Sequence, residues 1–221
     1  MMNLDKTAKA KAFEFVYSNP VLRYTQNWGH IVTRQFLPEQ GLIMDLGAGT
    51  GEHQQFAKPA CQYTALDMDQ DVLRLGRDQG RNQRCVQATA QHLPFKNGSL
   101  DGVVSVYSLE HLSNLENCVA EIIWVLKPGG ILAVAIPTEG AMFRLGRRLV
   151  TAPFAVKNLG FSSVQDYENY IATQHINSVD KILSALKKNF QLVKKRWFPF
   201  LIGGPNVNLN LSIKAVRKQK I

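Results

Sequence analysis

The chain has 221 residues, 45% of them hydrophobic and 19% charged, with a formal net charge of +9. That length and composition allow one domain with a sizeable buried core and exclude disordered, collagen-like and disulfide-stapled chains. No apolar run reaches membrane-spanning length, the first fifteen residues lack the apolar stretch of a secretory leader, and Cys61, Cys85 and Cys118 are scattered without Cys-x-x-Cys spacing, so a reduced, cytoplasmic setting is the expectation.

Residues 5–17 are predicted to form a helix with Ala10, Phe13 and Tyr17 at helical spacing, broken by Asn19-Pro20. Thr25 to Phe36 forms a second amphipathic helix carrying Trp28, Ile31, Val32 and Phe36. The two helices make a cap in front of an α/β core, with Trp28 placed to help enclose a ligand. Leu42-Ile43-Met44 is a short apolar run ending at Asp45, and it reads as a buried strand. Gly47-Ala48-Gly49-Thr50-Gly51 then turns into a helix beginning at Glu52. A strand that turns through glycines into a helix start lets a ligand touch main chain and unpaired N–H groups. The spacing is G-x-G-x-G, not the G-x-G-x-x-G of dinucleotide sites. Asp45, two residues ahead of the first glycine, repels a pyrophosphate and suits a ligand carrying positive charge.

Tyr63 to Leu66 is the second strand. Asp67 follows at about the distance from the glycine loop at which a carboxylate accepts from both hydroxyls of a ribose. Met68 is an apolar side chain able to lie on an adenine face, and Asp69 caps the next helix. Arg84 to Gln87 is a third strand and Leu100 to Val106 a fourth. Tyr107-Ser108-Leu109-Glu110-His111-Leu112 leaves the carboxyl end of the fourth strand and therefore faces the same crevice as Gly49. Leu115 to Leu126 is a helix, Lys127-Pro128-Gly129-Gly130 a turn, and Ile131 to Ile136 a fifth strand. Strict alternation of strand and helix means a parallel sheet covered on both faces. Thr138 to Thr173 has no clean period and reads as an insertion over the site. Ser178 caps a helix to Phe190. Two strands, Gln191 to Phe198 and Leu209 to Val216, joined by a Gly203-Gly204-Pro205 loop, close the sheet as an antiparallel pair.

Asp45-Leu46-Gly47-Ala48-Gly49-Thr50-Gly51, Ala65-Leu66-Asp67, Leu93-Pro94-Phe95, Leu100-Asp101-Gly102-Val103-Val104-Ser105 and Leu126-Lys127-Pro128-Gly129-Gly130 occur in one order. Over residues 40–137 the chain therefore resembles the class I S-adenosylmethionine-dependent methyltransferases, in the branch that includes the ubiquinone and menaquinone methyltransferases. The resemblance implies an α/β, Rossmann-like, doubly wound seven-stranded sheet, mostly parallel with the last strand antiparallel. The chain reads as one domain over 1–221: a helical cap (1–38), a cofactor-binding core (41–137), a substrate-covering insertion (138–177) and a closing helix with strands (178–221). S-adenosylmethionine is the implied cofactor. Asp45 would lie near its amino group, the backbone of Gly47, Ala48, Gly49 and Gly51 against its methionine and ribose portions, and Asp67 on the ribose. Thr89, Ala90 and Gln91 would meet the adenine edge. Many relatives carry an acid where this chain has Thr89, and a neutral hydroxyl should hold the adenine amino group more weakly. Gln91 can substitute through its amide oxygen.

Methyl transfer is an in-line displacement at a sulfonium carbon, for which the protein aligns and desolvates the reactants, and S-adenosylhomocysteine remains. A base is needed only for a hydroxyl or protonated amine acceptor. His111 is the first candidate, Glu110 the second, and His175 is placed to enter from the cap on the substrate side. His53, behind the glycine loop, is less suited to meet an acceptor. No metal site is assigned. The expected acceptor is a small molecule, with an RNA or protein methyltransferase and a non-catalytic S-adenosylmethionine-binding sensor as alternatives. Basic clusters at 144–148, 187–196 and 217–220 are not accompanied by a nucleic-acid motif and read as solvated faces and a tail. The segment Ala141 to Val150 mixes apolar and basic residues and reads as an amphipathic cap ahead of a membrane-surface contact.

Overall fold

The structure, a computed structural model, describes residues 6–200 and 202–218, and the side chains of residues 6–10 and 13 lie outside the description. The expected Ala10 and Phe13 contacts and the last two residues of the basic tail, 219 and 220, therefore fall outside the described residues.

Helix α1 (Lys6–Ser18) is followed at once by α2 (Pro20–Phe36). The Asn19-Pro20 pair separates the two helices but also starts the second one. Asn19 accepts from the N–H groups of Val21 and Leu22, and Pro20 supplies the fixed φ of a first helical residue. Of α2, Gly29, Val32, Thr33 and Phe36 are buried at helical spacing. Ile31 lies off that stripe and is exposed.

Strands β1 (Gly41–Leu46), β2 (Cys61–Asp67), β3 (Cys85–Gln87), β4 (Leu100–Val106), β5 (Leu126–Pro137), β6 (Phe190–Phe198) and β7 (Asn210–Arg217) form one sheet in the order β3-β2-β1-β4-β5-β7-β6. The first five are parallel, and β7 runs antiparallel between β5 and β6. Alternate side chains go to opposite faces, as a pleated strand requires. Met44, Leu46, Val103, Leu132 and Val134 join a core with α4 (Leu115–Val125) and α8 (Val179–Asn189). Ile43, Val104, Ala133 and Ala135 join a second core under Val32 and Phe36 of α2. Helix α3 (Gln70–Asp78), capped by Asp69, lies against β2 and β3.

Three local expectations change. The segment after the glycine loop is a short 3-10 helix, Glu52–Phe56, and not the start of an α-helix. Lys127–Gly130 belongs to β5 as an irregularity between the Leu100–Leu126 and Gly102–Ile131 pairs, with Gly129 at φ +77°. The unperiodic stretch after β5 is helical throughout most of its length: α5 (Ala141–Gly146), a π turn at Arg147–Thr151, α6 (Ala152–Asn158) and α7 (Val164–Gln174). Its side chains pack on one another and on α1, for example Phe154 stacked on Phe15 at 3.8 Å, so no single amphipathic stripe is written in the sequence. A short α9 (Gly204–Val207) occupies the Gly203-Gly204-Pro205 loop.

Candidate active site

The sheet order reverses between β1 and β4, and a crevice opens there beyond the carboxyl ends of both strands, where open α/β sheets bind ligands. It has two lobes that share Gly47, Gly49 and Tyr107. One, about 460 Å³, runs past Asp67 and Met68 to His111, Tyr170 and Gln174. The other, about 280 Å³, lies between the glycine loop and Tyr17, Gln26 and His30 of the two N-terminal helices. Volumes of this size suit small molecules.

The glycine loop is tied down on three sides. The N–H groups of Gly47 and Ala48 donate to the Leu66 carbonyl at 2.8 and 3.0 Å. The Gly49 N–H donates to Asp67 Oδ2 at 2.9 Å. The Gly49 carbonyl accepts from Asn82 Nδ2 at 3.0 Å. Gly47, at φ +70°, faces the Ser108 side chain so closely that a Cβ would collide with it. Gly51, at φ +79°, is buried against Asn82 in the same way, so it shapes the loop from behind and does not face the crevice. Asn82 is fully buried with φ +52°, and it also bonds Gln54 through its own N–H and its Oδ1. Sequence reasoning does not find it. Its only local signal is an Asn two residues after Gly80 between a helix and a strand, which reads as an ordinary turn.

Asp67 is half-buried. Besides Gly49, it accepts from the Asp69 N–H through Oδ1 at 2.9 Å. It thus serves both as a clamp between loop and helix start and as a lining carboxylate, with lone pairs left over for hydroxyl donors. Asp45 is 2% exposed, and its Oδ2 has no hydrogen-bond partner among the described residues. Burial, reinforced by the neighbouring Asp67 charge, pushes its carboxyl up to about 7. An unpartnered buried carboxylate oxygen beneath a glycine loop is the feature that a bound ammonium would relieve. The lining of this lobe fits an adenosine-type ligand with a cationic amino acid end. Met68 stands 70% exposed over the lobe, and Ala88 and Ala90 line it. Thr89 and Gln91 do not line it. Thr89 points to solvent, and Gln91 donates its amide to the Ser113 carbonyl and Oγ at 3.1 and 3.0 Å. A turn begins at Thr89, whose carbonyl accepts from the His92 N–H, and it leaves Ala88 and Ala90 at the inner positions.

On the other side of the crevice, Tyr107 leaves β4 with φ +55° and reaches across to α2, its hydroxyl donating to the Thr25 carbonyl at 3.2 Å. It packs on Gly29, where a Cβ would sit 2.6 Å from the hydroxyl. Gln26 and His30, one turn apart on α2, therefore present the helix to the crevice. Trp28, expected there, instead packs at 4.9 Å on Phe198. It lies on the opposite side of the helix from Gln26 and His30. His30 likewise carries no sequence signal of its own. Its Nδ1 lies 3.3 Å from Nδ1 of His53, and both rings are buried, which holds His30 down at about 4 and His53 well below its ordinary value. The pair is neutral and structural in kind, and His53 sits behind His30 and does not itself line the crevice.

Glu110 and His111 fall in a 3-10 turn, Leu109–His111. Burial raises the Glu110 carboxyl to about 8, and its Oε2 has no partner. Burial, and then the adjacent His175, lowers His111. His111 Nδ1 lies 3.0 Å from the Gln174 carbonyl. A carbonyl only accepts, so Nδ1 carries the proton and Nε2 keeps its lone pair. His175, at the end of α7, stacks edge-on against His111 with ring centroids 4.8 Å apart. Its Nδ1 bonds Glu139 Oε1 at 2.6 Å. Burial opposes ionisation of Glu139, but its bonds to His175 and Arg147 hold its carboxyl below the usual range. Arg147 bridges Glu139 and Glu168 with a side chain 9% exposed, so it is an internal strut and not part of a basic surface.

Residues 44–134 match the methyltransferase domain family. Over 102 residues the chain is 34% identical to a ubiquinone/menaquinone biosynthesis C-methyltransferase of Stutzerimonas stutzeri, covering 42% of this chain and 40% of that protein. The chain spans less than half the length of the curated relatives it matches. Among solved structures it superposes on an S-adenosylmethionine-dependent methyltransferase of Methanosarcina mazei with a TM-score of 0.62 at 19% identity, covering 86% of this chain and 98% of the other. A protein of Pyrococcus horikoshii gives a TM-score of 0.69 at 14% identity, covering 98% and 100%. At those identities the likeness establishes the fold.

Proposed function

We propose, for a chain that belongs to the class I S-adenosylmethionine-dependent methyltransferases, that it transfers a methyl group from S-adenosylmethionine to a small-molecule acceptor. The observation that carries the reading is the pair of carboxylates under and beside the glycine loop, one of them buried without a partner. When bound, S-adenosylmethionine supplies a methyl group on a sulfonium, and S-adenosylhomocysteine remains after in-line displacement. Asp67 accepts from the ribose hydroxyls with its spare lone pairs. Asp45 takes the ammonium end, directly or through water. The backbone of Gly47, Ala48 and Gly49 lies against the middle of the ligand, and Met68 with Ala90 covers the adenine. On the acceptor side, Tyr107, Tyr170 and Gln174 enclose the space and exclude water. Nε2 of neutral His111 is the open lone pair nearest that space, able to receive the proton of a hydroxyl acceptor.

Calorimetric titration with S-adenosylmethionine, S-adenosylhomocysteine and NAD tests this. Binding of both sulfur ligands and not of NAD is expected, with Asp67→Ala losing at least tenfold, since a hydrogen bond to a charged group contributes about 1.5–3 kcal/mol. Silence from both sulfur ligands would remove the reading.

A further inference from the structure

Three donor groups meet beside the His111 end of the crevice: Glu110 and His111 after β4, of which His111 lines the crevice, and His175 after α7, next to the lining residue Gln174. One ligand atom from each lies within 4.8 Å of the others. We propose that these three residues hold a divalent first-row metal ion, Zn²⁺ by preference, and that the acceptor binds it through the oxygen to be methylated.

The hydrogen bonding around the cluster is what a metal site needs. A ligating imidazole normally donates its other ring N–H to a carbonyl or carboxylate, which fixes the tautomer and aims the free nitrogen. Both histidines here do so. His111 gives its Nδ1–H to the Gln174 carbonyl, and His175 gives its Nδ1–H to Glu139, itself held by Arg147 at 2.6 Å. With one proton per ring, that proton sits on Nδ1 and Nε2 is the atom free to ligate. The third member, Glu110, is 3% exposed, and its Oε2 has no partner. His111 Nε2 faces Glu110 Oε1 at 3.9 Å. Neither of these atoms carries a proton when the carboxylate is ionised, and at 3.9 Å they share no hydrogen bond. A cation between them satisfies both. Donors about 2.0–2.2 Å from a tetrahedral Zn²⁺ stand roughly 3.4 Å apart, so the cluster closes on an ion with side-chain shifts of about 1 Å. Two imidazoles and one carboxylate leave coordination positions open, the pattern of a reactive centre and not of a structural one.

The chemical consequence rests on the methyl-transfer reading. A hydroxyl coordinated to the ion loses its proton to solvent near neutral pH. The oxygen lone pair forms the new bond to the methyl carbon, the carbon–sulfur bond breaks, and its electron pair stays on sulfur. The lone imidazole is then relieved of proton removal and becomes a ligand. The acceptor class is a phenol, catechol or hydroxy acid able to coordinate through oxygen.

The test is metal binding to the full chain after chelator treatment, without S-adenosylmethionine. One equivalent of Zn²⁺ is expected by calorimetry. Co²⁺ should give visible absorption bands that stoichiometric Zn²⁺ abolishes. His175→Ala should weaken Zn²⁺ at least a hundredfold. Glu139→Gln keeps an acceptor for the His175 N–H and leaves Arg147 its pair with Glu168, so it should retain the fold, checked by its melting temperature, and bind tenfold to a hundredfold more weakly. Absence of a stoichiometric ion, or equal affinity in wild type, His175→Ala and Glu139→Gln, would overturn the proposal. Zn²⁺ bound at this site with no response to either sulfur ligand would leave the site standing and remove the methyl-transfer reading alone.

Discussion

Replacing Asn82 by alanine should loosen the glycine loop from behind, at a position that touches no ligand. Asn82 is fully buried and makes two side-chain hydrogen bonds, to the Gly49 carbonyl at 3.0 Å and from Gln54 Nε2 at 3.2 Å. Gln54 is half-buried and can turn to water, so the larger loss is the Gly49 carbonyl, left facing the vacated space. A buried polar group left unpaired costs about 1–3 kcal/mol. Alanine at φ +52° adds roughly 1 kcal/mol, which asparagine tolerates better and glycine avoids. The sum is about 2–4 kcal/mol, or a fall in melting temperature of roughly 4–16 °C for a chain of this size. Asn82→Gly removes the backbone part and keeps the hydrogen-bond loss, so it should lie about 1 kcal/mol above alanine. Urea unfolding of the three proteins measures the stabilities, and S-adenosylmethionine calorimetry measures the loop. Both variants should bind about tenfold more weakly, because both free the Gly49 peptide. An alanine variant within about 0.5 kcal/mol of wild type, or equal to the glycine variant, would refute the reasoning.

Asp45, raised to about 7, must ionise to hold an ammonium. Affinity for S-adenosylmethionine should therefore rise roughly eightfold from about pH 6.0 to 7.5, and Asp45→Asn should bind more weakly with no such rise in calorimetry across that range. Gly29→Ala places a Cβ 2.6 Å from the Tyr107 hydroxyl and 3.0 Å from Ala135, and an overpacked core site of this kind costs about 1–3 kcal/mol in a denaturant melt. Tyr107→Phe should cost only about 1 kcal/mol for the lost bond to Thr25 in the same melt. His30 is held near 4 by burial, below the 6.5 of an unfolded histidine, so the unfolded chain binds the extra proton first as pH falls. Stability contributed by the neutral ring should be complete above about pH 6.5 and decline towards about pH 4. His30→Phe should flatten that slope relative to wild type. Raised Asp45 and Glu110 act in the opposite sense in the same window, so the readout is the difference between the two proteins.

The fold was legible because its signals are local. Apolar runs such as Leu42-Ile43-Met44, the glycines after Asp45 and the caps Asp69 and Ser178 each specify a strand, turn or helix within a few residues, and strict alternation leaves little choice of topology. The positions of Gly47, Gly49, Asp67, Met68 and His111 along the crevice, and of Asp45 beneath it, were legible for the same reason: each lies at the carboxyl end of a strand or in the turn beyond it. Thr89 and Gln91 were misplaced because a one-residue choice of face decides whether a side chain lines a crevice, and Ala88 and Ala90 took the inner face. Trp28 was chosen over His30 because an aromatic is conspicuous in sequence, while the direction each faces on α2 depends on where Tyr107 lets the helix approach the sheet. Asn82, and the meeting of Glu110 and His111 with His175 and Glu139, are tertiary facts. They join positions 28 to 65 residues apart through turns whose geometry no short pattern encodes. Sequence alone determined the sheet and the glycine-loop edge of the crevice, since those follow from backbone chemistry that acts over a few residues. Packing of the helices after β5 decided the acceptor edge, since side chains distant in the chain converge there only once the core has formed.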